Sequence, residues 1–95
     1  MNNLNSILIE GIVTEKAKFI EHKDFCLCQF VITSKRYFND SKAYKPTCIA
    51  IEAHRKLAIA CKDKAIVNTS IRVVGRLEND SSGKIYVLAE HIEFR

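Results

Sequence analysis

The chain contains no tryptophan, a single proline and three glycines. So little glycine and proline excludes collagen-like and low-complexity sequence. No apolar run approaches the roughly 20 residues that a membrane-spanning helix needs. The opening Met1-Asn2-Asn3-Leu4-Asn5 has neither the basic stretch nor the cleavage site of a signal peptide, so a cytoplasmic location is expected. What is present is ordinary globular composition, 47% hydrophobic and 27% charged, which argues against disorder. Ninety-five residues bound the answer to one domain, residues 1–95. A domain this small has a thin stability margin, and oligomerisation is a common remedy.

Fifteen Lys and Arg face eleven Asp and Glu, a formal net charge of +4. The whole excess lies in residues 35–56, where Lys35, Arg36, Lys42, Lys45, Arg55 and Lys56 outnumber Asp40 and Glu52. A localised positive field attracts polyanions and speeds their encounter. Charge alone leaves nucleic acid and a solvated basic loop equally open.

Cys26, Cys28, Cys48 and Cys61 are even in number, but a reducing compartment keeps thiols free. Cys26 and Cys28 face the same way on an apparent strand. The short C-x₂₋₄-C pairs of structural zinc sites are missing, so buried hydrophobe-like thiols and no metal are expected. His22 and His91 read as surface residues, and no nucleophile–base constellation or phosphate loop stands out. A metal-binding or enzymatic domain is therefore disfavoured, and no cofactor is expected.

The chain alternates apolar and polar residues in short β-rich segments. Residues 4–14 predict a first strand, with Gly11 marking a bulge or bend. Residues 15–24 are polar around Phe19 and Ile20 and predict a loop or ragged strand end. Residues 25–34 predict a second strand with Cys26, Cys28, Phe30 and Ile32 inward. Residues 35–46 predict a loop, through Asn39-Asp40-Ser41 and Pro46. A third strand follows over 47–53, with Ile49, Ile51 and Ala53 inward. Residues 54–64 suit a helix with Leu57, Ala60, Cys61 and Ala65 along one stripe. The fourth strand, 69–78, places Ile71, Val73, Gly75 and Leu77 on one face. A turn over 79–83 leads to a fifth strand, 84–95, whose faces are both mixed. The order β-β-β-α-β-β is the layout of the OB-fold, an all-β, five-stranded Greek-key barrel with one short helix between strands 3 and 4. The pattern does not choose a ligand.

Several strings carry more. Leu4-Asn5-Ser6-Ile7-Leu8-Ile9-Glu10-Gly11 resembles the opening strand of the bacterial single-stranded DNA-binding protein family. Phe30-Val31-Ile32-Thr33-Ser34-Lys35-Arg36-Tyr37 resembles that family's second strand and the basic-aromatic step after it. His54-Arg55-Lys56-Leu57-Ala58 is similar to its helix start, Arg72-Val73-Val74-Gly75-Arg76-Leu77 to its fourth strand, and Ala89-Glu90-His91-Ile92-Glu93-Phe94 to its close. The resemblance spans nearly the whole chain in order. Departures accompany it. Family members present several tryptophans; here Tyr37, Cys48 and His54 stand at ring positions, and the last hairpin is short. Family members carry an acidic-tipped C-terminal extension; the sequence here stops at Arg95. That leaves open the DNA-binding core alone or a short relative close to the primosomal replication protein N proteins, and a single domain without the acidic tail is expected.

The resemblance implies non-sequence-specific binding of single-stranded DNA in replication, repair or recombination, near the nucleoid. It further implies replication or repair proteins as possible partners. The alternative is a dimeric replication-restart module with reduced DNA contact. Such binding needs cations for phosphates and flat side chains for bases. The cation candidates are Lys35, Arg36, Lys42, Lys45, Arg55, Lys56, Arg72 and Arg76. Tyr37 is read as a stacking platform from its place in the resemblance. Tyr44 is open between stacking and pinning the loop, His54 between ligand contact and a helix-entry surface role, and Tyr86 between core and surface. Phe38 reads as a clip that holds the loop down. The first strand would leave an aliphatic edge, so a homo-oligomer joined through it is expected, a tetramer ahead of a dimer.

Overall fold

A computed structural model describes residues 1–95. Five strands and one helix follow in order: β1 Ile7–His22, β2 Phe25–Phe38, β3 Ala43–His54, α1 Lys56–Lys64, β4 Ser70–Asn79 and β5 Ile85–Phe94. The strands close into a barrel in the order β1-β2-β3-β5-β4. Every contact is antiparallel except β3 with β5, a parallel pair of two register positions, Ile51 with Val87 and Glu52 with Leu88. With α1 between strands three and four, this is the OB-fold.

Long β1 closes the barrel by serving two neighbours. Residues 7–12 pair with β4, and residues 12–22 pair with β2. Gly11 sits at that handover because β2 crosses too closely for a side chain. A Cβ there would lie 2.6 Å from the Thr33 carbonyl oxygen. The ladder to β4 is extended by a side chain. Asn5 stands opposite Leu77, accepting from its N–H and donating to its carbonyl, both at 2.9 Å. The amide of Asn5 thus replaces the backbone pair that register would place there.

The core is built from alternate residues of each strand. Val13, Cys28, Ile32, Ile51, Ala53, Ile71, Val73 and Val87 are fully or almost fully buried, and α1 adds Ala58 and Cys61. Cys28, Phe30 and Ile32 of β2 face inward, as the alternation predicts, while Cys26 is half-buried.

Five local expectations are corrected. Of the two readings of residues 15–24, the loop falls and the ragged strand end holds: β1 runs to His22 with two register irregularities, which masked its alternation. Residues 35–46 form no loop either. β2 and β3 continue as a twisted hairpin, Lys35 with Pro46 through Phe38 with Ala43, and only residues 39–42 turn. Pro46 is tolerated because β3 meets β5 only at Ile51 and Glu52, so this arm is an edge. The helix starts at Lys56, since His54 ends β3 and Arg55 has φ 57°. Its inward stripe is Ala58, Cys61 and Ala65; Leu57 and Ala60 are half-buried. Leu77 is exposed rather than inward. The register slips between Val74 and Gly75, where His91 and Ala89 are successive partners and Glu90 is the extra residue. That bulge moves the inward parity of β5 from Val87 and Ala89 to Ile92. It also seats Gly75 against the Leu88 carbonyl, where a Cβ would approach to 2.2 Å.

Candidate nucleic-acid interface

Side chains alternate along β2 and β3, so the hairpin has two distinct sides. The outer barrel face carries Gln29, Val31, Thr33, Lys35 and Tyr37 on β2. Opposite them on β3 are Glu52, Ala50, Cys48, Pro46 and Tyr44. Tyr37 and Tyr44 meet edge to face at the distal end, ring centroids 5.1 Å apart. Below them a polar row crosses the face, with the Thr14 and Thr33 hydroxyls 3.1 Å apart and the Cys48 thiol 3.4 Å from Thr33.

The other side of the same hairpin continues the core face beyond the barrel. It carries Arg36, Phe38 and Lys45. The Lys45 ammonium lies 4.7 Å and the Arg36 guanidinium 5.5 Å from the Phe38 ring centroid, within cation–π range. Phe38 is therefore a platform for two cations at a partly exposed position, not a clip on a folded loop. Lys42 lies in the turn, in the left-handed region with φ 50°.

At the proximal end, His54 is fixed from two sides. Its ring sits edge on to Phe25 at 5.0 Å, and its Nε2 lies 2.7 Å from a Glu52 carboxylate oxygen. The other Glu52 oxygen accepts from Gln29 at 2.9 Å. Arg55 holds its guanidinium 5.4 Å over the Phe25 ring, and Lys56 opens α1 beside it.

Arg72 and Arg76 lie elsewhere, on the outside of β4. Arg72 pairs with Glu10 at 3.1 Å and Glu93 at 3.8 Å, and Arg95 joins the same two carboxylates. Arg76 pairs with Glu78 at 2.7 Å and Glu90 at 3.8 Å. Of the residues singled out from sequence, Lys35, Tyr37, Tyr44 and His54 share the outer β2–β3 face. Arg36 and Lys45 lie behind it, and Arg72 and Arg76 are neutralised on another wall.

The outer face deepens into a groove of about 350 Å³ where the β4–β5 turn leans over it. Lys16, Lys18 and Lys84 stand around it beside the carboxylates of Glu15 and Asp80, with Gln29, Glu52 and Tyr86 in its lining. Sequence reasoning missed Lys16 and Lys18 because residues 15–24 looked like a polar loop or ragged strand end, and Lys84 because it read only as the start of the fifth strand. Tyr86 was findable, since it alternates with inward Val87. The turn is preorganised by Asp80, whose carboxylate accepts from the Ser82 hydroxyl at 2.7 Å and from the Ser82 and Lys84 N–H groups at 2.9 Å. The Ser82 hydroxyl first, and the Lys84 N–H next, hold the Asp80 carboxyl below its ordinary pKa. Burial, then the Glu52 carboxylate, pushes the Tyr86 phenol up, so it stays protonated.

No group of three or more His, Cys, Asp and Glu side chains is placed to hold a metal ion, and no helix is long and apolar enough to cross a membrane.

No model of a known protein family matches the sequence, and none of the curated proteins matches it. Solved structures do match in shape. The small single-stranded DNA-binding protein of Streptomyces coelicolor superposes with a TM-score of 0.83 at 20% identity, over 100% of this chain and 94% of that one. The second single-stranded DNA-binding protein of Mycobacterium smegmatis gives 0.82 at 16% identity, over 95% and 87%. The SSB domain of a Synechococcus sp. protein gives 0.77 at 15%, over 98% of both chains. At these identities the likeness establishes a shared fold across the full barrel.

Proposed function

We propose that this chain binds single-stranded DNA across the outer face of β2 and β3, largely through phosphate contacts and a few stacked bases. The observation that carries the reading is the shared face of Lys35, Tyr37 and Tyr44, continuous with the groove beside Tyr86. In OB-folds this strand face and the flanking loops hold oligonucleotides. The fold neighbours include two proteins described as single-stranded DNA-binding, which supports the same ligand class. Arg36, Lys45 and Lys42 on the back and tip of the hairpin are positioned to follow a strand that bends around it. Arg55 and Lys56 extend the path at the helix end. Arg72 and Arg76 drop out, because carboxylates already neutralise them. The corresponding role is protection of exposed strands in replication, repair or recombination.

The protein acts as a homo-oligomer joined through β1. Residues 7–11 pair with β4 on one side only, since β2 contacts β1 from Ile12 onward. Leu8 is 70% exposed beside that open edge. An unpaired edge with an exposed aliphatic side chain is a template for a second copy.

Titration of a labelled oligo-dT at several salt concentrations tests the reading. Binding with a slope of several counterions supports it; absence of binding removes it and favours the replication-restart module.

A further inference from the structure

The groove beside Tyr86 contains a feature that a phosphate track does not need. Glu52 sits in its lining with a side chain only 16% exposed. One carboxylate oxygen accepts from Gln29 at 2.9 Å, and the other lies 2.7 Å from His54. No lysine or arginine nitrogen lies within 4.0 Å of it. A half-buried carboxylate repels phosphate, so the backbone of a bound strand keeps to the outer rim, where Lys16, Lys18 and Lys84 offset Glu15 and Asp80. What enters the groove is then a base.

The carboxylate is an acceptor-only group with about four lone-pair sites, of which the two neighbours use two. Its orientation is fixed by those neighbours, and each oxygen keeps acceptor capacity toward the groove. The matching partner presents two adjacent N–H donors, as a guanidinium does to a carboxylate. Among the DNA bases, guanine alone does so, through N1–H and its 2-amino group. Cytosine and adenine offer one amino donor beside a ring acceptor. Thymine offers one N–H between two carbonyl oxygens, which face the carboxylate unfavourably. Val31, Ala50 and Ile85 supply apolar walls against which an entering base shields such a bond from water.

Resting on the single-strand reading above, we propose that Glu52, held by Gln29 and His54, forms a guanine-preferring subsite within an otherwise sequence-tolerant interface.

The test uses short labelled strands that differ at one central position: all-dT, and dT carrying one dG, one deoxyinosine or one dC. The single dG is expected to tighten binding about tenfold over all-dT, in the range of one bidentate base contact. Deoxyinosine lacks the 2-amino group and should keep only part of that gain. In Glu52→Gln the ratio of dG strand to dT strand should fall to about one, with folding checked by thermal melting. The deoxyinosine comparison needs no variant, so a misfolded Glu52→Gln does not blunt the test. Equal or weaker binding of the dG strand overturns the subsite while leaving the single-strand reading intact. A ratio that survives Glu52→Gln, or a deoxyinosine strand equal to dG, also overturns it. If no strand binds, both proposals fall.

Discussion

Tyr37 and Tyr44 face each other across the β2–β3 hairpin, their rings 5.1 Å apart at an interplanar angle of 66°. Neither ring is buried: Tyr37 is 46% and Tyr44 66% exposed. A cross-strand aromatic pair contributes only about 0.2–1 kcal/mol to the hairpin. Two exposed rings next to Lys35 at the end of the outer face are better explained by what they can stack on.

Tyr37→Ala should weaken binding of a single strand by about 1–3 kcal/mol, the range for one stacked base. The slope of log K against log salt should stay nearly unchanged, because no cation is lost. Fluorescence anisotropy at three salt concentrations measures both. An unchanged affinity would remove the ring from the interface.

Arg55 occupies φ 57°, ψ −124°, a conformation that favours glycine. Such backbone strain costs on the order of 1–3 kcal/mol. Arg55→Gly should therefore raise the melting temperature by several degrees, while weakening strand binding through the lost guanidinium. A lower melting temperature would mean that the Arg55–Phe25 contact outweighs the strain.

The four thiols should separate by reactivity. Cys48 is exposed and Cys26 half-buried, whereas Cys28 and Cys61 are fully buried. Burial, reinforced by neighbouring Cys28, pushes the Cys61 thiol up to about 12. Burial also raises Cys28. At pH 8 a thiol reagent should modify Cys48 first and Cys26 next, and reach the other two only on unfolding. A chelator should leave the fold unchanged. Rapid labelling of Cys61, or loss of structure with chelator, would contradict this placement.

How much of this was legible in the sequence depends on whether one face was buried. Phe30, Ile32, Ile51 and Ala53 announced their strands because inward and outward residues alternate strictly. The hairpin arms did not, because residues 35–46 are exposed on both sides and contain Pro46. Ile92 was obscured by the bulge at Glu90, which changes parity within β5. The basic cluster was legible as composition, but its division into two faces was not. Lys35 and Arg36 are neighbours in sequence yet project oppositely. The groove was invisible because Lys16, Lys18 and Lys84 come from segments distant in sequence, brought together only by barrel closure.

The open edge of β1 implies assembly. Light scattering at about micromolar concentration should give a multiple of the monomer mass. Leu8→Lys should lower that mass by placing charge on the 70% exposed aliphatic position. A monomer for the unaltered protein would contradict pairing through β1.

The central claim is that the strand crosses the outer β2–β3 face, held there by cations. Its most direct test compares the salt dependence of oligo-dT binding for the unaltered protein and for Lys35→Glu. Each phosphate contact on a single strand adds about −0.7 to the slope. The account expects Lys35→Glu to weaken binding to all strands and to flatten the slope by about that amount. Affinity that scarcely responds to salt, or a Lys35→Glu variant indistinguishable from the unaltered protein, would place the strand elsewhere or remove it altogether.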